Sequence, residues 1–209
     1  MTEFWETSFI KNQTMWGFEP ADSAILTKDY FKEKNVKDVL IPGIGYGRNA
    51  KVFMENGMDV TGIEISKTAI ELARESGLEI PIFHGPVSDM PFDDRQYDGI
   101  FSYALLHLLS EEERVKFIRD CFGQLKPGGH MVFTTISKGA PMYGKGTQLG
   151  EDYYEIMEGV KMFFYDRESI KRDFGDYGLV EVTEMMEPHK NAEGKPPFPF
   201  MVITCRKEI

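Results

Sequence analysis

Three glycines at alternate positions, Gly43, Gly45 and Gly47, follow the apolar run Val39-Leu40-Ile41, and a single acid, Glu64, closes the next apolar run. Glycine has no Cβ, so its backbone can turn tightly and pass close to a ligand. A carboxylate at the tip of the following strand can accept hydrogen bonds from both hydroxyls of a ribose. Residue types in that order describe a cradle for a nucleotide cofactor. The plainer reading is a crossover whose glycines only make a turn and whose glutamate is solvated. Loop, helix and acid occurring together favour the cradle.

The elements that must position these residues are legible nearby. Val39 to Ile41 reads as a short buried strand, and Asn49, Ala50, Val52, Phe53 and Met54 continue as a helix that Asn56-Gly57 stops. Met58 to Ile63 resumes a strand ending on Glu64. A dinucleotide fingerprint, G-x-G-x-x-G, needs its third glycine inside the first helical turn, and Arg48 stands there instead.

Read as G-x-G-x-G, the loop resembles motif I of the class I S-adenosylmethionine-dependent methyltransferases, and Gly57 to Ser66 resembles the strand that follows it. Met90-Pro91-Phe92-Asp93-Asp94 with Tyr97-Asp98-Gly99-Ile100-Phe101-Ser102 resembles that superfamily's passage into its fourth strand. Leu125-Lys126-Pro127-Gly128-Gly129-His130 resembles the turn before its fifth. The four signatures keep the family's order between Val36 and Ile136. Two positions depart from the pattern: Ile41 stands where an acid usually helps hold the methionine end of the cofactor, and Pro86 stands where another acid is usual.

The resemblance implies an α/β fold, Rossmann-like and doubly wound, with a mainly parallel seven-stranded sheet and an antiparallel C-terminal strand. It implies S-adenosyl-L-methionine as cofactor, with Gly43, Gly45 and Gly47 under its methionine part and Glu64 and Ile65 at its ribose. Val87 and Asp89 would flank its adenine, and Ser102 or Tyr103 would stand at the tip of the fourth strand. Asp89 can equally well begin a turn. Arg48 has two readings, a contact to the cofactor carboxylate or the pocket rim, and a surface ion pair. Trp16 could fold over the cofactor, as N-terminal segments do in small-molecule members, or pack on the sheet edge with Trp5.

A sulfonium methyl is already activated, so the enzyme's main task is in-line positioning of a nucleophile about 3 Å away. A general base matters more for an alcohol than for a thiolate. Tyr103 and His107 are the catalytic candidates, with Tyr143 and His189 behind them. His107 lies among Leu105, Leu106, Leu108 and Leu109, which also suits a structural histidine.

The chain's 209 residues, with 42% hydrophobic content, fit one sizeable domain. Cys121 and Cys205 are too few for a disulfide framework and have no metal-ligand spacing, so reduced thiols and no metal are expected. A formal net charge of −10 opposes a phosphate backbone, which excludes nucleic acid as a partner. No secretory leader or membrane-spanning run is visible, which points to the cytoplasm. The partner expected is a small-molecule substrate; the sequence sets no oligomeric state.

Residues 21–35 carry apolar groups at helical spacing. Ser66 caps a helix that Gly77 stops, Ile80 to Phe83 reads as the third strand, and Asp98 to Tyr103 as the fourth. Ser110 with Glu113 forms a capping box, and Met131 to Ile136 is the fifth strand. Residues 137–166 mix glycines with tyrosines, phenylalanines and methionines and read as an insert that lids or walls the substrate. Asp166 caps the next helix, and Leu179 to Met186 and Pro199 to Arg206 form a terminal strand pair.

The domain plan is therefore residues 1–35 as cap and helix, 36–136 as cofactor-binding core, 137–166 as insert, and 167–209 as terminal helix and strands. The function expected is methyl transfer to a small nucleophile; the alternatives are an NAD(P)-dependent oxidoreductase and a non-catalytic S-adenosylmethionine-binding protein. No Asn-Pro-Pro-Tyr sequence follows the fourth strand, and neither an acid cluster for catechol chemistry nor a cysteine set for arsenite is present. The aromatic N-terminal segment and Gly47-Arg48-Asn49-Ala50 resemble the tellurite-resistance and thiopurine-type branch.

Overall fold

The structure is a computed structural model that describes residues 2–188 and 197–209. Two helices, α1 (Thr2–Asn12) and α2 (Asp22–Glu33), precede β1 (Asp38–Pro42). Then follow α3 (Ala50–Met54), β2 (Asp59–Glu64), α4 (Lys67–Glu75), β3 (Ile82–His84), β4 (Tyr97–Tyr103), α5 (Glu111–Gln124) and β5 (Leu125–Ile136). Three short strands, β6 (Thr147–Gly150), β7 (Tyr153–Met157) and β8 (Val160–Phe163), lead to α6 (Arg167–Phe174), β9 (Leu179–Glu187) and β10 (Phe198–Arg206).

The main sheet has seven strands in the order β3-β2-β1-β4-β5-β10-β9. β1 pairs in parallel with β2 and β4, and β4 with β5. β10 is antiparallel to both β5 and β9, so β9 returns to the direction of the others and β10 is the one reversed strand. This is the expected sheet. Its chain order reverses beside β1, the place where open α/β sheets bind ligands beyond their carboxyl ends.

Period-two alternation along the strands divides the core between the two faces. Phe101 and Val132 pack with Phe31 of α2 and Phe53 of α3, whereas Ile100 and Phe133 pack with Phe117 of α5 and Phe174 of α6. Burying each such side chain contributes about 1.5–3 kcal/mol. Both capping boxes form: the Ser110 side chain accepts from Glu113 N at 3.4 Å, and Asp166 Oδ1 from Ser169 N at 2.8 Å.

Some elements differ from the sequence reading. β3 begins at Ile82 rather than Ile80, because Pro81 has no N–H to give the ladder and contributes only its carbonyl, to Gly62 N. β5 begins at Leu125, with the Lys126 to Gly129 turn accommodated by a register shift opposite Tyr97 and Gly99. α1 was not expected as a helix. The insert, expected as glycine-broken chain, contains the antiparallel sheet β6-β7-β8.

Candidate functional site

The glycine loop leaves β1 at the carboxyl edge of the sheet. Gly43, Gly45 and Gly47 all have positive φ, at 71°, 58° and 81°. Their open sides differ. A Cβ on Gly43 would meet Leu105 Cδ2 at 2.8 Å and one on Gly47 would meet Leu78 Cδ2 at 2.3 Å, so these two serve the chain's own packing. A Cβ on Gly45 would find only Phe9 Cζ, at 3.9 Å. Gly45 is the glycine whose open side is free of the sheet.

Glu64, the last residue of β2, is 5% exposed. Its Oε2 accepts from Gly45 N at 2.8 Å, and its Oε1 accepts from Ile65 N at 2.9 Å and Ser66 N at 2.8 Å. Burial pushes its carboxyl pKa up, the three N–H donors pull against that, and the nearby Glu6 carboxylate adds to the rise. The structure thus joins the loop and the acid by a direct bond.

α1 lies over this junction. Ser66 Oγ donates to Glu6 Oε2 at 2.6 Å and Thr68 Oγ1 to Glu6 Oε1 at 2.7 Å, pinning α1 to the first turn of α4. These bonds hold the Glu6 carboxyl below its ordinary pKa. Phe9 is buried with Tyr46 and Ala69, its ring 6.2 Å from that of Tyr46. Trp16 lies nearly parallel to the Tyr46 ring at 6.2 Å, and the Tyr46 hydroxyl donates to Gly17 O at 2.7 Å. On the other side, Phe4 and Trp5 face Leu108 and Gly159 to Lys161 across a cavity of about 10 Å³, room for about one water.

Arg48 donates from Nη1 to the carbonyls of Trp16 at 3.3 Å and Glu19 at 3.4 Å, and its guanidinium lies 5.4 Å from the centroid of the Tyr103 ring. It forms no salt bridge among the described residues. Tyr103, at the tip of β4, stacks on Phe200 at 5.8 Å. Burial pushes its hydroxyl pKa well up, the neighbouring Glu187 carboxylate adds to this, and Arg48 opposes it. Ser102 is fully buried, and its Oγ donates to Pro42 O at 3.5 Å.

His107 is buried in the turn Leu106–Leu108, where its Nδ1 accepts from Ile136 N at 3.3 Å and contacts Thr135 Oγ1 at 3.3 Å. Burial pushes its pKa down to about 3. Of the two readings of His107, this geometry fits the structural one: the ring is neutral and committed to β5. The Tyr143 hydroxyl donates to Asp152 at 2.7 Å, in a cluster where Lys138 bridges Asp152 and Asp166 at 2.6 and 2.5 Å. His189 lies outside the described residues.

Val87 and Asp89 form a short 3₁₀ turn, Val87 buried against the core and Asp89 exposed. Both cysteines are buried and unpaired. Among the described residues no group of three or more His, Cys, Asp or Glu is placed to hold a metal, and no helix is long and apolar enough to cross a membrane.

Sequence reasoning missed Glu6, Phe9 and Glu187. Glu187, the last residue of β9, is 3% exposed and accepts the backbone N–H of Ser23 in the first turn of α2. Glu6 and Phe9 belong to a helix that was not recognised, and only the pairing of β9 with β10 brings Glu187 to this edge.

Residues 40–133 match the family model described as a methyltransferase domain. The ubiquinone biosynthesis O-methyltransferase of Vibrio vulnificus is 30% identical over 112 residues, 51% of this chain and 47% of the relative. That of Serratia proteamaculans is 27% identical over 158 residues, 73% of this chain and 64% of the relative. The chain thus spans about half to two thirds of the curated relatives it matches. Among solved structures, Burkholderia thailandensis 1,6-didemethyltoxoflavin-N1-methyltransferase superposes with a TM-score of 0.73 at 18% identity, covering 100% of this chain and 87% of that one. TehB from Haemophilus influenzae gives 0.66 at 22%, covering 97% and 67%.

Proposed function

We infer that this chain, whose residues 40–133 match the methyltransferase domain model, is a class I S-adenosylmethionine-dependent methyltransferase that moves the methyl group of S-adenosyl-L-methionine onto a small-molecule nucleophile. The observation that carries the reading is the bond from Gly45 N to the buried Glu64 carboxylate, with the open side of Gly45 facing away from the sheet.

The residues present suit that cofactor. Glu64 retains acceptor capacity beyond its three N–H bonds, because a carboxylate offers about four lone-pair sites, and two of its three donors fall on Oε1. Oε2 is therefore the oxygen left for ribose hydroxyls, with Ile65 beside it. Gly43 and Gly47 shape the loop, and Gly45 lets its backbone approach the methionine part. Arg48, at the end of the glycine loop, supplies a partner for the cofactor carboxylate. Val87 and Asp89 border the adenine, and Ser102, tied to Pro42 O, keeps the tip of β4 against the loop.

The cofactor supplies an activated methyl group; the chain supplies position and dryness. Trp16 and α1 exclude water above the loop, and Tyr103 faces the acceptor. His107 holds β5 and moves no proton. The substrate is small and partly apolar, with the insert of residues 137–166 as its wall, and the four segments of the domain plan work as one domain in the cytoplasm. The net charge of −10 disfavours nucleic acid.

Arg48 in place of the third fingerprint glycine argues against a nicotinamide enzyme. Calorimetry with S-adenosylhomocysteine and NAD tests this: binding of the first alone is expected, and binding of NAD alone sinks the reading.

A further inference from the structure

We propose that Glu187, acting through the Tyr103 hydroxyl, takes up the proton released on methylation, and that the acceptor is therefore an alcohol, phenol or amine rather than a thiolate. This rests on the methyltransferase reading above and names the substrate class of that same site.

Tyr103 ends β4 and Glu187 ends β9, and both strands run the same way, so both residues stand at the carboxyl edge. Glu187 opposes Phe198 at the mouth of the terminal strand pair, and Phe200, two residues along β10, stacks on Tyr103. One carboxylate oxygen of Glu187 is held by the Ser23 N–H at the start of α2. The other, Oε2, is buried and has no hydrogen-bond partner among the described residues, and the same holds for the Ser23 hydroxyl. An unmade bond at a buried acceptor costs about 1–3 kcal/mol, and native chains keep few of them. The N-terminus of α2 favours a negative charge at this place.

Glu187 and Arg48 both act on the Tyr103 hydroxyl, and the Arg48 guanidinium lies 5.4 Å from the ring centroid. Glu187 is sealed from solvent while Tyr103 is partly exposed, so the phenol is the more accessible of the two groups. A phenol whose pKa burial raises is a poor base alone but can pass a proton: it takes one from the acceptor as it gives its own to Glu187 Oε2. In that step the bond from sulfur to methyl breaks, the bond from methyl to the acceptor's oxygen or nitrogen forms, the sulfonium becomes a neutral thioether, and the proton ends on Glu187. Among the described residues the other candidate bases are committed elsewhere, His107 to β5 and Tyr143 to Asp152.

The test uses full-length wild type, Glu187→Gln and Tyr103→Phe, with labelled-methyl transfer from S-adenosylmethionine to a panel of alcohols, phenols, amines and thiols. Affinity for S-adenosylhomocysteine is measured by calorimetry on the same samples. We expect transfer to hydroxyl or amine members, a fall in kcat of about 100-fold or more in each variant, and an affinity and KM within about twofold of wild type. Wild-type kcat in both variants overturns the proposal, as does affinity falling in step with kcat, which marks a merely structural role. Transfer confined to thiols, or to no hydroxyl or amine member, overturns it too. Absence of S-adenosylhomocysteine binding by the wild type instead defeats the methyltransferase reading.

Discussion

Replacing Glu64 by glutamine keeps the shape of the side chain and removes its charge, which separates its two tasks. The carboxylate now accepts three backbone N–H groups, from Gly45, Ile65 and Ser66, at 2.8 to 2.9 Å. A carboxamide keeps one oxygen, which can still serve Ile65 and Ser66. Its NH₂ then faces the Gly45 N–H, donor against donor. One charge-assisted bond to the loop is lost, worth about 1.5–3 kcal/mol, and a ribose hydroxyl loses its charged acceptor.

Part of the folding loss is offset, because the neutral side chain no longer bears the burial that pushes the Glu64 pKa up. We therefore expect stability to fall by only about 1 kcal/mol while affinity for S-adenosylhomocysteine falls by about 2 kcal/mol or more, roughly thirtyfold. The pH dependence has a definite sign. A folded-state pKa raised above its ordinary 4.5 means that the folded chain holds this proton more tightly, so stability is lost as pH rises through the folded value, and the glutamine variant lacks that loss. Titration calorimetry beside thermal unfolding reads both effects. A folded variant that binds S-adenosylhomocysteine within twofold of wild type refutes the role given to Glu64.

Gly45→Val should reduce S-adenosylhomocysteine affinity by more than 100-fold, since it puts a branched side chain at φ 58° against Phe9; near-normal affinity in calorimetry would show that nothing passes there. At Asp166, burial pushes the carboxyl up, but Lys138 and the Ser169 N–H outweigh it and pull the pKa to about 2. That stabilisation is present above the ordinary 3.8 and is lost as pH falls through about 2. Asp166→Asn should cost about 1 kcal/mol at neutral pH, allowing for solvent screening, and flatten the acid limb of urea melts between pH 4 and 2. Cys121→Ser should keep methyl transfer while lowering Tm, because a hydroxyl replaces a thiol that is 0% exposed; a folded but inactive variant would reveal a functional thiol.

What was legible in the sequence was local. The Gly43 to Gly47 turn, Glu64 at a strand end, and the caps at Ser66, Ser110 and Asp166 each depend on residues a few positions apart, and each forms. What was not legible depends on distant partners. α1 has no clean apolar stripe, and it is held by Glu6 on Ser66 and Thr68 and by Phe9 on Tyr46. The insert's glycines read as breakers, yet Gly146 and Gly159, with φ of 84° and 77°, adjoin strands of a small sheet. Glu187 looked like one acid among many until β10 paired with β9. Departures from the family pattern were also informative: Ile41 is simply core, 2% exposed.

The cover formed by α1 and the segment after it has an optical consequence. The chain contains two tryptophans, Trp5 and Trp16, and both are in that cover, their rings 6.3 Å apart and Trp16 lying over Tyr46 of the glycine loop. All indole emission from this protein therefore originates at one wall of the cradle and none from the sheet behind it. Any displacement of α1 changes the solvent around both fluorophores at once, so the native protein carries its own unlabelled gauge of whether the cradle is open or shut.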